Sequence, residues 1–383
     1  MQTVKLYDID SYLNEFSAQV ISCEKNGNFF DIILDKTAFF PEGGGQSADE
    51  GTINGVKIVD VQIKDGVIIH KAVSPVECGQ VECTLDWELR FRRMQNHSGE
   101  HIISGIAHKL FGCNNVGFHM GAEITVDFDI ELNKEQLRLI ERNANEAVYK
   151  NVRIYAEYPT SETLQSLDYR SKLELTDDVR IVTIEGYDVC ACCAPHVKNS
   201  GEIGIIKILS STRHRGGTRI TMICGYDAFE DYCIKTDNLY EIAVTLCAKH
   251  NEELDAFRKL CSENSELKQK VSSLSKELTA LKAQNNESIN GFTVFFEDTD
   301  DMQSVRSLAL ESAKSADYVT AVFGGKSGSY KFAIASMSKS VKPVMAELSV
   351  RFNARGGGSD ELVQGNIAAD ENEIRDFFSK VNL

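Results

Sequence analysis

Over residues 1–89 apolar and polar positions alternate with a period of two, in short runs such as FFDIILDKTAFF and TINGVKIVDVQIKDGVIIHKAV, each closed by a turn signal. That period marks strands that bury one face, and Asn54-Gly55 and Asp65-Gly66 are dipeptides favoured in two-residue hairpin turns. The segment is expected to be a small β-barrel-like module. From Trp87 the period lengthens to that of a helix through RFRRMQNHSGEHIISGIAHKLFG, and a second helix follows an Asn133 cap in NKEQLRLIERNANEAVYKN. Strand-like VRIYAEYP, VRIVTIEG, GEIGIIKILS and RITMICG then complete an α+β domain over 90–228.

Residues 235–285 hold neither Gly nor Pro, and Leu260, Leu267, Leu274 and Leu281 recur every seven residues with Phe257, Asn264, Val271 and Leu278 between them. This is a heptad seam in which a lone Asn at an inner position acts as a register device. A DNA-binding zipper needs a basic region upstream, whereas DNLYEIAVTLCAKHNEELDAF is acidic, so no DNA partner is expected. The segment reads as a coiled-coil helical arm, folded either as an intrachain hairpin or as a dimer seam. After NNESINGF, residues 290–383 alternate strand-like runs (FTVFFED, DYVTAVFGG, YKFAIAS) with helical ones, which predicts an α/β domain. The fold class is thus α+β and multidomain: β module, α+β domain, helical arm, C-terminal α/β domain.

With 383 residues, 42% of them hydrophobic, the chain is long enough for several ordinary cores. A net charge of −16 excludes a surface that coats nucleic acid everywhere. Two windows run against it. Lys198 to Met222 holds Lys198, Lys207, Arg213, Arg215 and Arg219 against Glu202, and Tyr318 to Gly358 holds Lys326, Lys331, Lys339, Lys342, Arg351 and Arg355 against Glu347. Both fit an RNA backbone bound at two places. No apolar run of membrane-spanning length and no leader pattern occur, so a cytoplasmic protein without a membrane partner is expected. Eleven irregularly spaced cysteines read as reduced thiols, a few of them potential metal ligands.

His97 and His101, four apart in the helical stretch, project from one face; His108 follows on that face as a possible competitor. Cys190-Ala-Cys192-Cys193-Ala-Pro-His196 packs three thiols and an imidazole into seven residues after an apolar strand. Two separated pairs, His-x3-His and Cys-x3-His, predict one shared zinc ion per chain on His97, His101, Cys192 and His196, with Cys190 and Cys193 as rivals of Cys192. His97-Ser98-Gly99-Glu100-His101 also matches the H-x-x-E-H of inverted zinc peptidases, in which Glu100 is the general base. Pro41-Glu42-Gly43-Gly44-Gly45-Gln46 lets backbone N–H groups approach a ligand closely, or simply forms a hairpin loop.

The strings FFPEGGGQSADEG, NHSGEH, CCAPH followed by VKNSGEIG, and GGTRI, in this order over about 1–228, resemble the editing domain of alanyl-tRNA synthetases and the free-standing AlaX deacylases. ARGGGSDELVQG at 354–365 resembles the glycine-rich C-terminal domain that those synthetases share with DHH-family phosphoesterases, so the chain looks like a long-form AlaX. The middle of NHSGEH and the CCAPH string depart from the family pattern, but the four ligand positions survive. The resemblance implies that the Gly43–Gly45 loop lies over the zinc site, that Gln46 helps position the misacylated end and that the Thr37 hydroxyl contacts a serine side chain. It further implies hydrolysis, in trans, of serine and possibly glycine wrongly attached to alanine tRNA, without an ATP-using aminoacylation core. A homodimer through the coiled coil, the C-terminal domain or both is expected. The rival readings are a zinc peptidase, for which Glu100 is essential and RNA irrelevant, and a non-catalytic RNA-binding coiled-coil protein.

Overall fold

The structure, a computed structural model, describes residues 2–171, 179–284, 288–315 and 319–381. Asn285 and Leu383, which end two of the expected segments, and Tyr318, which opens the second basic window, lie outside them. The chain divides into two compact units, Met1–Glu241 and Ile242–Leu383.

In the first unit the alternating strands close into a six-stranded barrel of Glu15–Asn26, Phe29–Leu34, Val67–Ala72, Val56–Lys64, Gly51–Ile53 and Gln80–Leu85, every neighbouring pair antiparallel. Closure leaves no unpaired edge to protect. Along Gln80–Leu85 the inward positions are Val81, Cys83 and Leu85, which join Ile32, Leu34, Ile53, Ile58 and Ile68 in the barrel core. Both expected hairpin turns form, with positive φ at Asn54, Gly55, Asp65 and Gly66.

Helix Trp87–Phe111 leaves the last barrel strand and is buried through residues 94–107. Its Arg90 is wholly buried, paired with buried Asp49 through Oδ2 and donating to the Ala38 and Ser11 carbonyls, so a buried guanidinium that would be costly alone is compensated and ties the helix to the barrel. Around this helix stand helix Lys134–Lys150, a four-stranded antiparallel sheet (Ile206–His214, Gly217–Cys224, Ile124–Phe128, Asn115–Met120) and a three-stranded one (Ile154–Glu157, Ile181–Ile184, Asp188–Ala191). The Asn133 cap is a full capping box with Gln136. GEIG, expected as strand, is instead the 3-10 turn Ser200–Ile203, because Asn199 and Glu202 cap it reciprocally.

The segment expected as one arm over 235–285 is two helices, Gly225–Leu246 and Glu253–Gln284, separated where Cys247 and Asn251 adopt left-handed φ of 50° and 66°. The longer spans about 48 Å at ~1.5 Å per residue. In the second unit the sheet runs Ser288–Ile289, Phe292–Glu297, Val319–Lys326, Ser329–Ala335, Leu362–Ile367, Arg355–Gly358. Among the described strands of this sheet only Phe292–Glu297 and Val319–Lys326 pair in parallel, so the sheet of the expected α/β domain is mostly antiparallel. The connection from Lys326 to Ser329 is too short for a crossover and must turn back. Arg355–Gly358 and Leu362–Ile367 form a hairpin whose Gly356, Gly358 and Gly365 leave no room for a Cβ against the facing backbone.

Candidate metal centre

Helix Trp87–Phe111 is capped by Asp86, which accepts from the Leu89 N–H, and stops at Gly112 in the left-handed region. Two glycines let it sink between its neighbours. A Cβ on Gly99 would overlap Cys224 Sγ, and one on Gly105 would overlap the Tyr187 carbonyl. His97 and His101, one turn apart on this helix, are thereby placed in the interior.

Cys192 and His196 come from the loop after strand Asp188–Ala191. Arg180 is its main support: its carbonyl accepts from Cys192 N at 3.0 Å, and its Nη1 donates to the carbonyls of Cys192 at 3.0 Å and Ala194 at 2.8 Å. Ser11 Oγ donates to the His196 carbonyl at 2.8 Å. The ligand atoms of His97, His101, Cys192 and His196 lie within 4.8 Å of one another, so the four residues form a group that could hold a metal ion.

Each imidazole is fixed through its outer nitrogen. His97 Nδ1 meets Gln46 Oε1 at 2.8 Å, His101 Nδ1 meets Asp188 Oδ2 at 2.9 Å, and His196 Nδ1 meets Ser98 Oγ at 3.0 Å. Asp188 is itself gripped by Arg170, with Nε to Oδ1 at 2.7 Å and Nη2 to Oδ2 at 2.8 Å. Acceptors at Nδ1 for His97 and His101 fix the tautomer that turns a bare Nε2 inward, as metal-binding imidazoles require. His97 Nε2 stands 3.5 Å and His196 Nε2 3.4 Å from Cys192 Sγ. Three nitrogens and one sulfur are a zinc-type donor set.

The charges agree. Burial alone would raise the Cys192 thiol, but His97, His196 and His101 outweigh it and hold the group well below its usual range. Burial would lower His101, yet Cys190, Asp188 and Cys192 push it well above normal, while burial takes His196 down to about 3.

Gly43–Gln46 is a tight hairpin, with Gly43 N to Gln46 O at 3.1 Å, Gln46 N to Gly43 O at 2.9 Å, and Gly44 and Gly45 at φ 60° and 85°. It abuts the cluster: a Cβ on Gly44 would lie 3.6 Å from Cys193 Sγ and 3.9 Å from His97 Cε1. Buried Gln46 spends its Oε1 on His97 and leaves Nε2 without a partner among the described residues. Thr37 falls elsewhere. It is fully buried in the barrel, its hydroxyl 2.9 Å from His70 Nε2 and accepting from Phe39 N, and it belongs neither to the cluster nor to the lining of the cleft of about 1120 Å³ that reaches His97, His101 and Cys192. His108 is exposed in that lining, outside the cluster. Cys193 is exposed beside the glycine turn, and buried Cys190 forms a second group with Asp188 that shares His101. Glu100, also buried, accepts from Ser104 Oγ at 2.5 Å and from Asn115 Nδ2.

Much of the basic excess is locally neutralised: Lys198 with Asp10, Lys207 with Glu141, Arg213 with Glu131, Arg219 with Asp127. Lys342 pairs with Asp360, Arg351 with Asp376, and Lys331 donates to the Asp300 carbonyl. Arg215, Lys326 and Arg355 have no ion pair among the described residues. The sequence reading missed Asp188, Arg170, Arg180 and Ser98. Asp188 had a signal, a carboxylate just before the cysteine cluster; Arg170 had none, arriving from a stretch without pattern.

Two family models match the chain. The threonyl and alanyl tRNA synthetase second additional domain covers residues 179–221, which include Cys192 and His196. The class II (A) tRNA synthetase model covers residues 5–89, so a synthetase model does find a segment here, and that segment holds the barrel. Alanyl-tRNA editing protein Aarsd1 of Danio rerio is 31% identical over 93% of this chain and 92% of its own length. The chain belongs to the alanyl-tRNA editing protein family. Another member, alanyl-tRNA editing protein AlaX-L of Pyrococcus horikoshii, is 27% identical over 97% of this chain and 96% of its own. The alanine–tRNA ligase of Ignicoccus hospitalis is 30% identical over 92% of this chain, which spans 40% of that ligase. A solved structure, the C-Ala domain from Aquifex aeolicus alanyl-tRNA synthetase, matches 25% of this chain at 22% identity with a TM-score of 0.21, too low to bear on the fold. No described helix is long and apolar enough to cross a membrane.

Proposed function

We propose that this family member is a zinc-dependent deacylase that hydrolyses, in trans, the ester joining serine, and secondarily glycine, to alanine tRNA. The convergence of three anchored imidazoles and a thiolate on one point beside a cleft carries the reading. Zinc held by His97, His101, Cys192 and His196 supplies Lewis-acid chemistry at the cleft floor. The chain's own groups do the positioning. Gln46 orients His97 through Oε1 and offers its unpartnered Nε2–H to an oxygen of the misacylated end. The glycine turn brings backbone close to the cluster without side chains in the way. A synthetic pocket shaped for a methyl group rejects an added hydroxyl poorly, which is why a second, hydrolytic sieve has work to do.

Thr37 reaches a serine hydroxyl only by exchanging its bond to His70, so Thr37→Val tests its role: a larger loss on the serine ester than on the glycine ester supports contact, and equal losses make it a barrel residue. Arg215, Lys326 and Arg355 are the cations we assign to phosphates, and with tRNA as substrate the cytoplasm is the place of action. A peptidase role fits less well, since the thiolate dampens the Lewis acidity of the ion and Glu100 already accepts from Ser104 and Asn115. The test is deacylation of serine-charged alanine tRNA with and without chelator. Cleavage that stops with chelator and returns with zinc is expected; indifference to chelator, or equal cleavage of the alanine ester, overturns the reading.

A further inference from the structure

The four ligands stand on unequal ground. His97 and His101 ride on a helix, which fixes their spacing, whereas Cys192 and His196 lie between strand Asp188–Ala191 and the turn Ser200–Ile203, where no regular element sets the backbone. The place of the Cys192 sulfur is therefore decided by bonds from elsewhere, and Arg180 supplies three of them, through its own carbonyl and through Nη1. The same guanidinium turns Nε toward Asp8, 3.2 Å from Oδ1, and the two side chains are only 7% and 13% exposed. We propose that Asp8 and Arg180 are positioning residues of the metal centre: the carboxylate holds the guanidinium, and the guanidinium holds the loop that carries Cys192 and His196. The inference rests on the metal reading of the site and not on which ester is cut.

Asp8 is suited to this because it is presented from a braced segment. Val4 and Lys5 pair in parallel with Lys36 and Thr37, the four-residue helix Leu6–Ile9 follows, and Glu15 enters the barrel opposite Thr84, so the segment is tied down at both ends. Between these ties Ser11 also bonds the loop, at the His196 carbonyl. Asp8 Oδ2 accepts from the Tyr158 hydroxyl at 2.9 Å. Burial and the Asp8 charge push that hydroxyl up to about 12, so it remains a donor through neutral pH. Asp8 Oδ1 makes no aligned hydrogen bond among the described residues, so its hold on Arg180 is one of charge. Removing the carboxylate strands a buried cation, and the turn toward water that relieves it gives up the Cys192 and Ala194 carbonyls together. A pair that served folding alone would brace the segment without touching the metal, and experiment separates the two roles.

Two measurements on the full chain decide the matter: zinc affinity by competition with a chromophoric chelator, and the thiolate-to-metal absorption band after loading with Co2+. Asp8→Asn should weaken zinc roughly 10- to 100-fold and shift the cobalt band, as loss of a group that orients a ligand does. Asp8→Glu keeps the charge and should restore most of the affinity. Arg180→Lys should lose as much as Asp8→Asn, since an ammonium lacks the planar fork that reaches a carboxylate and the loop carbonyls at once. Asp8→Asn added to Arg180→Lys should cost little more, because both act through the same contacts. Asp10→Asn is the control from the same segment: it removes an exposed pair with Lys198 and should leave zinc affinity and the cobalt band as they are. A lower unfolding midpoint in Asp8→Asn with affinity and band unchanged is the mark of a merely structural pair and overturns the proposal. Equal loss in Asp10→Asn, or full additivity of Asp8→Asn and Arg180→Lys, does the same. An unaltered chain that takes up neither metal removes the metal centre, and the proposal with it.

Discussion

Two long helices carry the two clearest repeats in the chain and sit in opposite surroundings. Trp87–Phe111 is buried from residue 94 to 107, polar side chains included; Glu253–Gln284 is exposed from residue 257 to 278, leucines included. Apolar periodicity therefore says little about burial by itself. The first helix is interior because Gly99 and Gly105 stand where Cys224 and Tyr187 press closest and because each of its buried imidazoles has a bonded outer nitrogen. The second has neither device, and its stripe stays exposed among the described residues.

The sharpest break in that comparison comes from the ligands. Cys192→Ala or His101→Ala should remove zinc and lower serine-ester deacylation by at least roughly a hundredfold, whereas Cys193→Ala should keep the metal, as metal analysis with single-turnover assays will show. Loss of zinc from Cys193→Ala with retention in Cys192→Ala would exchange their roles.

How much of this could be read beforehand follows from the kind of contact involved. The barrel turns and the Asn133 cap were legible because they are local: Asn-Gly, Asp-Gly and a capping box decide backbone angles within a few residues. The two pairs were legible because each is local, and the fold brings their ligand atoms within 4.8 Å of one another. The supports were not, since Gln46 reaches His97 across 51 positions, Asp188 reaches His101 across 87 and Ser98 reaches His196 across 98. The break at Cys247 and Asn251 was hidden because neither residue is a strong helix breaker and only their positive φ reveals it. The basic windows misled in another way: counting along the chain omits Glu131, Asp127 and Glu141, which fold onto them.

Weaker perturbations of the buried helix sharpen the contrast. Asp188→Asn keeps shape but loses the charge that holds His101 and Arg170, and should cost roughly 10- to 100-fold in metal affinity, measured by competition with a chromophoric chelator. An unchanged affinity would reduce Asp188 to packing. Gly99→Ala drives a methyl group into Cys224 Sγ and should destabilise the first unit by about 1–3 kcal/mol in denaturant unfolding. Cys224→Ala on that background removes the obstructing sulfur and should return part of the loss. Simple additivity of the two changes would show that the helix shifts instead.

The smallest expected effect is also the cleanest comparison, because it makes one substitution in both helices. Ser98 Oγ holds His196 Nδ1 at 3.0 Å and accepts from Val197 N at 3.3 Å, so Ser98→Ala leaves two buried polar groups unmet. It should cost about 1–3 kcal/mol and loosen the metal. Ser265 lies on an exposed position of the bare helix, off its seam, and has no side-chain bond among the described residues. There Ser265→Ala removes only a polar group that competes with the helical backbone, and alanine's higher propensity should stabilise the helix by a few tenths of a kcal/mol. Opposite signs are therefore expected for the same lost hydroxyl, read as a fall in unfolding midpoint for Ser98→Ala and a slight rise in helical melting for Ser265→Ala. Should Ser265→Ala destabilise as Ser98→Ala does, the Ser265 face of the second helix would be in contact with something, and its exposure along the described residues would not describe it in solution.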